Sequence, residues 1–296
     1  MTPLAMMLTL SLATLPLLVL AFAVGASVGS FLNVCIHRIP EDLSVVSPAS
    51  RCPRCKTPIA WYDNVPILSW LWLRGRCRHC AAPIAGRYPL VEALGGLLAV
   101  TAVTRLGLTP MAMVGFGFTA ALLLITFIDF DHFFIPDEVS LPGIVVGLLV
   151  SLLPGGVGFL DAAAGAALGG GLLWLVAWSY ERATGLEGMG LGDVKLLAMI
   201  GAFLGWQALP VVLLVASVAG SLAGMAAIFG ARGRAGIGRV RRMLGPGAIL
   251  PYLRRRARTT AIPFGPFLAL GAIVVLYSPR LMLPWELTFG GGASIP

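Results

Sequence analysis

Two aspartates sit at the ends of apolar stretches in a chain that otherwise keeps charge out of them. Asp129 closes the run 111–130, and Asp193 lies in the segment 188–195, Gly-Met-Gly-Leu-Gly-Asp-Val-Lys, which opens a later run. A carboxylate at the edge of hydrocarbon is costly, and by default it marks a functional site. Two carboxylates brought together can activate a water and protonate a leaving amine. Gly190 and Gly192 carry no side-chain bulk, so an extended substrate strand could come close to the backbone there. With Lys195 they are the expected substrate-approach positions beside Asp193.

A second group points to metal. Cys52-Pro-Arg-Cys55 and Cys77-Arg-His-Cys80 are two Cys-x-x-Cys knuckles with 21 residues between them. Four thiolates at such spacing suit a tetrahedral zinc ion, and a fully ligated ion leaves no open position for catalysis. The expected role of zinc is therefore structural. The segment 39–88 that carries the knuckles has little core of its own and needs such a staple. His79 could stand in for a cysteine but is expected beside the site or at the surface. Cys35, alone on the first apolar stretch, reads as a small buried apolar residue.

The elements that must position these groups are membrane helices. Of 296 residues 58% are hydrophobic and 11% are charged, whereas soluble domains are about a quarter charged. The expected fold is an all-α polytopic bundle of about eight transmembrane helices with a small cytoplasmic zinc-binding loop domain. Eight apolar stretches span roughly 4–36, 90–108, 111–130, 139–157, 160–180, 194–206, 209–230 and 261–279, most near the length needed to cross hydrocarbon. The first carries a cleavage-site mimic, Ala21-Phe22-Ala23, but no basic residue precedes Arg38. It is therefore expected to remain as a helix. Three parts follow: a first helix over 1–38, the four-cysteine domain over 39–88, and a membrane domain over 89–296 with a basic loop at 231–260.

Charge sets the orientation. The stretches 38–87, 182–195 and 232–258 hold nineteen of the 21 Lys and Arg, leaving only Arg105 and Arg280 on the other side. Positive charge marks the cytoplasm, so both termini are expected outward. Asp129 and Asp193 then share the cytoplasmic edge. The cysteine loop is cytoplasmic as well, where disulfides are rare. Within it, 65–73 is apolar and Trp-rich yet too short to span, so it is expected on the bilayer surface or against the bundle, with Trp70 and Trp72 near headgroups.

The other acids have blander readings. Asp131 stands two residues from Asp129, about 200° away on a helix, so at most one of them faces the bundle centre. Asp137 follows Pro136 and is placed to cap a helix start. Glu92 could cap amides or pair with an arginine. The aspartate pair would also suit a proton- or cation-coupled transporter, although the halves show no inverted repeat. A zinc-stapled secretion scaffold is the non-enzymatic alternative.

Six segments in order resemble the bacterial type 4 prepilin peptidases, membrane aspartic proteases with a Gly-x-Gly-Asp motif. They are Gly29-Ser-Phe-Leu-Asn-Val-Cys-Ile-His-Arg-Ile-Pro40, the paired knuckles, Arg87-Tyr-Pro-Leu-Val-Glu92, the segment from Asp129 to Asp137, Gly190-Leu-Gly-Asp-Val-Lys195, and Ile262-Pro-Phe-Gly-Pro-Phe-Leu-Ala269. The resemblance implies cleavage of a short leader from prepilins and pseudopilins of type IV pili and type II secretion, after a glycine. It places the enzyme in the bacterial inner membrane, with the catalytic pair at Asp129 and Asp193. It further implies N-methylation of the new N-terminus, often Phe, with S-adenosylmethionine as donor. No soluble-type Gly-rich dinucleotide loop is present, and nucleic acid is not an expected partner. The arginine-rich segment 231–260 departs from the simplest pattern of the family. Leaders are basic, so the acids Glu41, Asp42, Glu181 and Glu187 suit them better than that loop, for which anionic lipid is the expected partner.

Overall fold

A computed structural model describes residues 3–185, 190–229 and 262–278. They form helices α1 (Pro3–Arg38), α2 (Leu68–Trp72), α3 (Arg87–Leu106), α4 (Pro110–His132), α5 (Asp137–Val150), α6 (Phe159–Thr184), α7 (Leu191–Leu204), α8 (Leu209–Phe229) and α9 (Gly265–Tyr277). No strand occurs among the described residues; two isolated bridges lie in the cysteine loop. Each expected apolar stretch is a helix. Among the described residues, five spans are long and apolar enough to cross a membrane: Thr14–Glu41, Arg87–Leu106, Pro110–His132, Phe159–Thr184 and Trp206–Ala227.

Three helices are shorter. At 14, 14 and 13 residues, α5, α7 and α9 are each roughly 20 Å long, less than the hydrocarbon thickness. Helix α5 stops at Val150 rather than near 157, because Gly155 and Gly158 both take positive φ, +86° and +87°, and turn the chain. Helix α7 starts at Leu191 rather than 194, which brings Asp193 into its first turn.

Helix α4 is the axis of the molecule. Phe118, Leu122 and Ile125 pack with Leu196, Leu197 and Ile200 of α7 and Leu268 of α9. Leu123, Leu124 and Ile128 pack with Leu32 and Ile36 of α1 and Val91 of α3. A helix that is apolar on all sides is enclosed by others, so the residues at its end are held by protein rather than lipid. Lipid supplies no hydrophobic drive between helices, and close backbone approach through small residues takes its place. A Cβ added at Gly165 of α6 would lie 2.2 Å from the Gly201 carbonyl oxygen of α7, and one at Gly95 of α3 2.5 Å from that of Gly25 in α1.

The cysteine loop is a two-fold repeat offset by 25 residues. The Cys52 and Cys77 amides donate to Thr57 and Ala82, and Lys56 and Ala81 donate back to Cys52 and Cys77. Lys56 and Ala81 both take left-handed φ, 58° and 54°. Trp70 lies inside this unit, its indole donating to the Ile84 carbonyl at 3.1 Å and its ring covering Gly75. Trp72, by contrast, is 82% exposed. Only the second of the two tryptophans is therefore free to meet headgroups.

Candidate active site

Asp129 occupies the last turn of α4 and is 5% exposed. The helix closes on Phe133, whose left-handed backbone (φ 57°) lets its N–H donate to the Asp129 carbonyl. The Asp129 carboxylate has its own partner: Oδ2 accepts the Gly265 N–H at 3.0 Å. This donor is one of the free amides that begin α9. A Cβ on residue 265 would sit 2.6 Å from that same oxygen, so only glycine lets the two approach.

Asp193 stands in the first turn of α7, half-buried, where the helix dipole presents positive charge. It lies within electrostatic reach of Asp129. The α4–α5 turn joins the two: Ile135 is buried and packs against both Gly192 and Gly265. An added Cβ would meet Ile135 at 3.0 Å from Gly192 and at 3.2 Å from Gly265. The end of α4 and the starts of α7 and α9 therefore converge on one end of the bundle. Gly190, which caps α7, is exposed, and its nearest neighbour for an added Cβ is its own Gly192 amide at 3.9 Å. A strand can approach there.

The remaining acids are sorted by their partners. Asp131 faces outward and pairs with Arg87, whose guanidinium also lies 5.1 Å from the centre of the Phe127 ring. Asp137 does not cap α5. Both its oxygens accept from Lys195 Nζ at 2.7 Å, so Lys195 is engaged by α5 rather than free beside Asp193. Glu92 is buried in α3 and pairs with no arginine among the described residues; it accepts the Ile67 N–H at 2.7 Å. Ile67 has φ 62°, an outlier for a β-branched residue, and this bond ties the cysteine loop to a membrane helix. His132 is exposed, edge-on to Phe134.

The four cysteines converge. The sulfurs of Cys52, Cys55, Cys77 and Cys80 all lie within 4.8 Å of one another. Cys52 and Cys80 are 3.7 Å apart and Cys55 and Cys77 are 4.0 Å apart. A tetrahedron with Zn–S bonds of about 2.3 Å has edges of about 3.8 Å, so the set fits zinc. Hydrogen bonds from Thr57 bring the Cys55 thiol down to about 6, and the Cys80 and His79 amides lower that of Cys77. Both effects favour the thiolate that a metal needs, whereas desolvation and the neighbouring thiols push Cys80 up to about 11. Cys35 is buried in α1, as expected.

Lys195 was expected beside Asp193, but its pairing with Asp137, and the contacts of Gly265 and Ile135 with the aspartates' surroundings, were not legible in the sequence. The one local signal is Gly265-Pro266, since proline in the first turn marks a helix start. Glu187, Gly188 and the arginine-rich segment lie outside the described residues.

A family profile described as the bacterial peptidase A24 N-terminal domain matches residues 23–106, and one described as the type IV leader peptidase family matches 116–225. Among curated relatives, a prepilin leader peptidase/N-methyltransferase of Aeromonas hydrophila is 41% identical over 91% of this chain and 93% of its own. Proteins of the same name from Burkholderia pseudomallei (strain 1026b) and Pseudomonas putida are each 38% identical, over 92% and 88% of this chain and 88% and 91% of theirs. No solved structure matches.

Proposed function

Because the chain belongs to the type IV leader peptidase family, we propose that Asp129 and Asp193 form the aspartic pair of a membrane peptidase that removes the leader of prepilins and pseudopilins at the cytoplasmic face of the inner membrane. Family membership favours a peptidase over a transporter or a scaffold. The observation that carries the site is the convergence of the buried end of α4 with the start of α7.

The chemistry follows from two carboxyls sharing one proton. The ionised member takes a proton from water, and the hydroxide attacks the scissile carbonyl carbon. The protonated member then gives its proton to the departing amine. The pair titrates as a unit, so a pH–rate profile reports the dyad rather than either residue. The Gly265 N–H holds one oxygen of Asp129 and leaves the other for the water. The open backbone at Gly190 and Gly192 is where the substrate strand would lie. Glu41, Asp42 and Glu181, with Glu187 in the adjoining segment, suit a basic leader.

Cys52, Cys55, Cys77 and Cys80 would hold one zinc ion that fixes the fold of 39–88, the separate unit between the first helix (1–38) and the peptidase domain (89–296). N-methylation of the new N-terminus by S-adenosylmethionine is part of the same proposal, supported by the two-activity name of the relatives. The test is direct. Purified protein in lipid is incubated with a prepilin, with and without S-adenosylmethionine. A product shorter by one leader, carrying one methyl only when the donor is present, is expected. An intact prepilin would overturn the reading.

A further inference from the structure

The α4–α5 turn carries no member of the proposed dyad, yet both its ends are tied down by charge. Asp131, before it, is held by Arg87 of α3. Asp137, after it, is held by Lys195 of α7 through both oxygens at 2.7 Å. Between them Ile135 packs on Gly192, which precedes Asp193 in sequence, and on Gly265 of α9, whose N–H donates to the Asp129 carboxylate. Lys195 follows Asp193 by two positions, about 200° around α7. It therefore projects away from the carboxylate that its sequence neighbourhood suggested.

We propose that Asp137 and Lys195 form a strut that sets the gap between the two aspartates. The pair links the first residue of α5 to the first turns of α7, and it presses Ile135 between the start of α7, which bears Asp193, and Gly265 of α9, whose amide holds Asp129. Both are positioning residues; neither meets the scissile bond. This proposal rests on the dyad reading above. An ion pair this open to solvent adds little to global stability. A small misplacement of reacting groups, by contrast, can cost about 100-fold in rate. Loss of the strut should therefore show in turnover and not in melting.

The experiment compares Lys195→Met, Asp137→Asn, Lys195→Arg and the reversed pair Asp137→Lys with Lys195→Asp, in full-length protein reconstituted in lipid. Cleavage of a prepilin is measured as kcat and KM, alongside melting temperature. Each neutral single variant is expected to lose about 10- to 100-fold in kcat, with KM within about twofold and an unchanged Tm. Lys195→Arg and the reversed pair should regain most of the loss. A rise in KM without rescue by reversal would make Lys195 a substrate contact and overturn the strut, as would wild-type turnover in Lys195→Met. Asp129→Asn and Asp193→Asn are assayed in parallel. Their activity alone decides the dyad, whereas rescue by reversal alone decides the strut.

Discussion

At the scale of single residues, the proposed site consists of two side chains and one backbone donor. Asp129→Asn and Asp193→Asn should each abolish leader cleavage while leaving the protein folded, as judged by Tm; cleavage at the wild-type rate by either would sink the dyad. Asp131→Asn should be milder, since it removes only a partner of Arg87. Gly265→Ala places a methyl 2.6 Å from the Asp129 carboxylate and should cost about 100-fold in kcat. Gly190→Ala adds a methyl where no described residue lies closer than 3.9 Å and should cleave within a few-fold of wild type; equal losses in both variants would refute the steric account. Asp129 and Asp193 were singled out in the sequence by carboxylates at the edges of apolar runs and by the Gly-x-Gly-Asp pattern. Gly265 was not, because a backbone N–H has no sequence signature and its acceptor lies 136 positions away.

At the scale of elements, the cysteine loop is tied to the bundle at Glu92 and Arg87 but carries none of the proposed catalytic groups. Metal analysis should find one zinc per chain. Chelation, or replacement of Cys55 by Ser, should open the segment 39–88 to proteases, with leader cleavage retained; a metal-free protein with an equally resistant loop would refute a structural zinc. The four ligands were readable because Cys-x-x-Cys spacing is imposed by tetrahedral geometry itself. The different fates of Trp70 and Trp72 were not, because a five-residue helix is too short for a periodic pattern to show which face is buried. Helix existence followed from apolar runs, but the early end of α5 depends on two glycines with positive φ. Lys195 likewise found its partner through tertiary packing rather than sequence proximity.

At the scale of the whole molecule, charge asymmetry makes a prediction for the basic loop, whose nine arginines between 232 and 258 have no acid among them. Reversing four of them should weaken binding to anionic liposomes, at about 1 kcal/mol per residue near the surface, while prepilin affinity in neutral detergent stays unchanged or improves slightly. A large loss of that affinity would mean that the loop touches substrate. The bond between Gly265 and Asp129 also has a consequence for biosynthesis. Chains grow at about 5–20 residues per second, so roughly 7–27 s separate the translation of the two residues. For the last 72 residues of that interval, about 4–14 s, the ribosome has delivered both aspartates but not the amide that holds one of them. If Asp129 and Asp193 are the pair proposed above, a nascent chain that has reached α8 carries both without the donor that positions Asp129, and cleavage is expected only once α9 has docked.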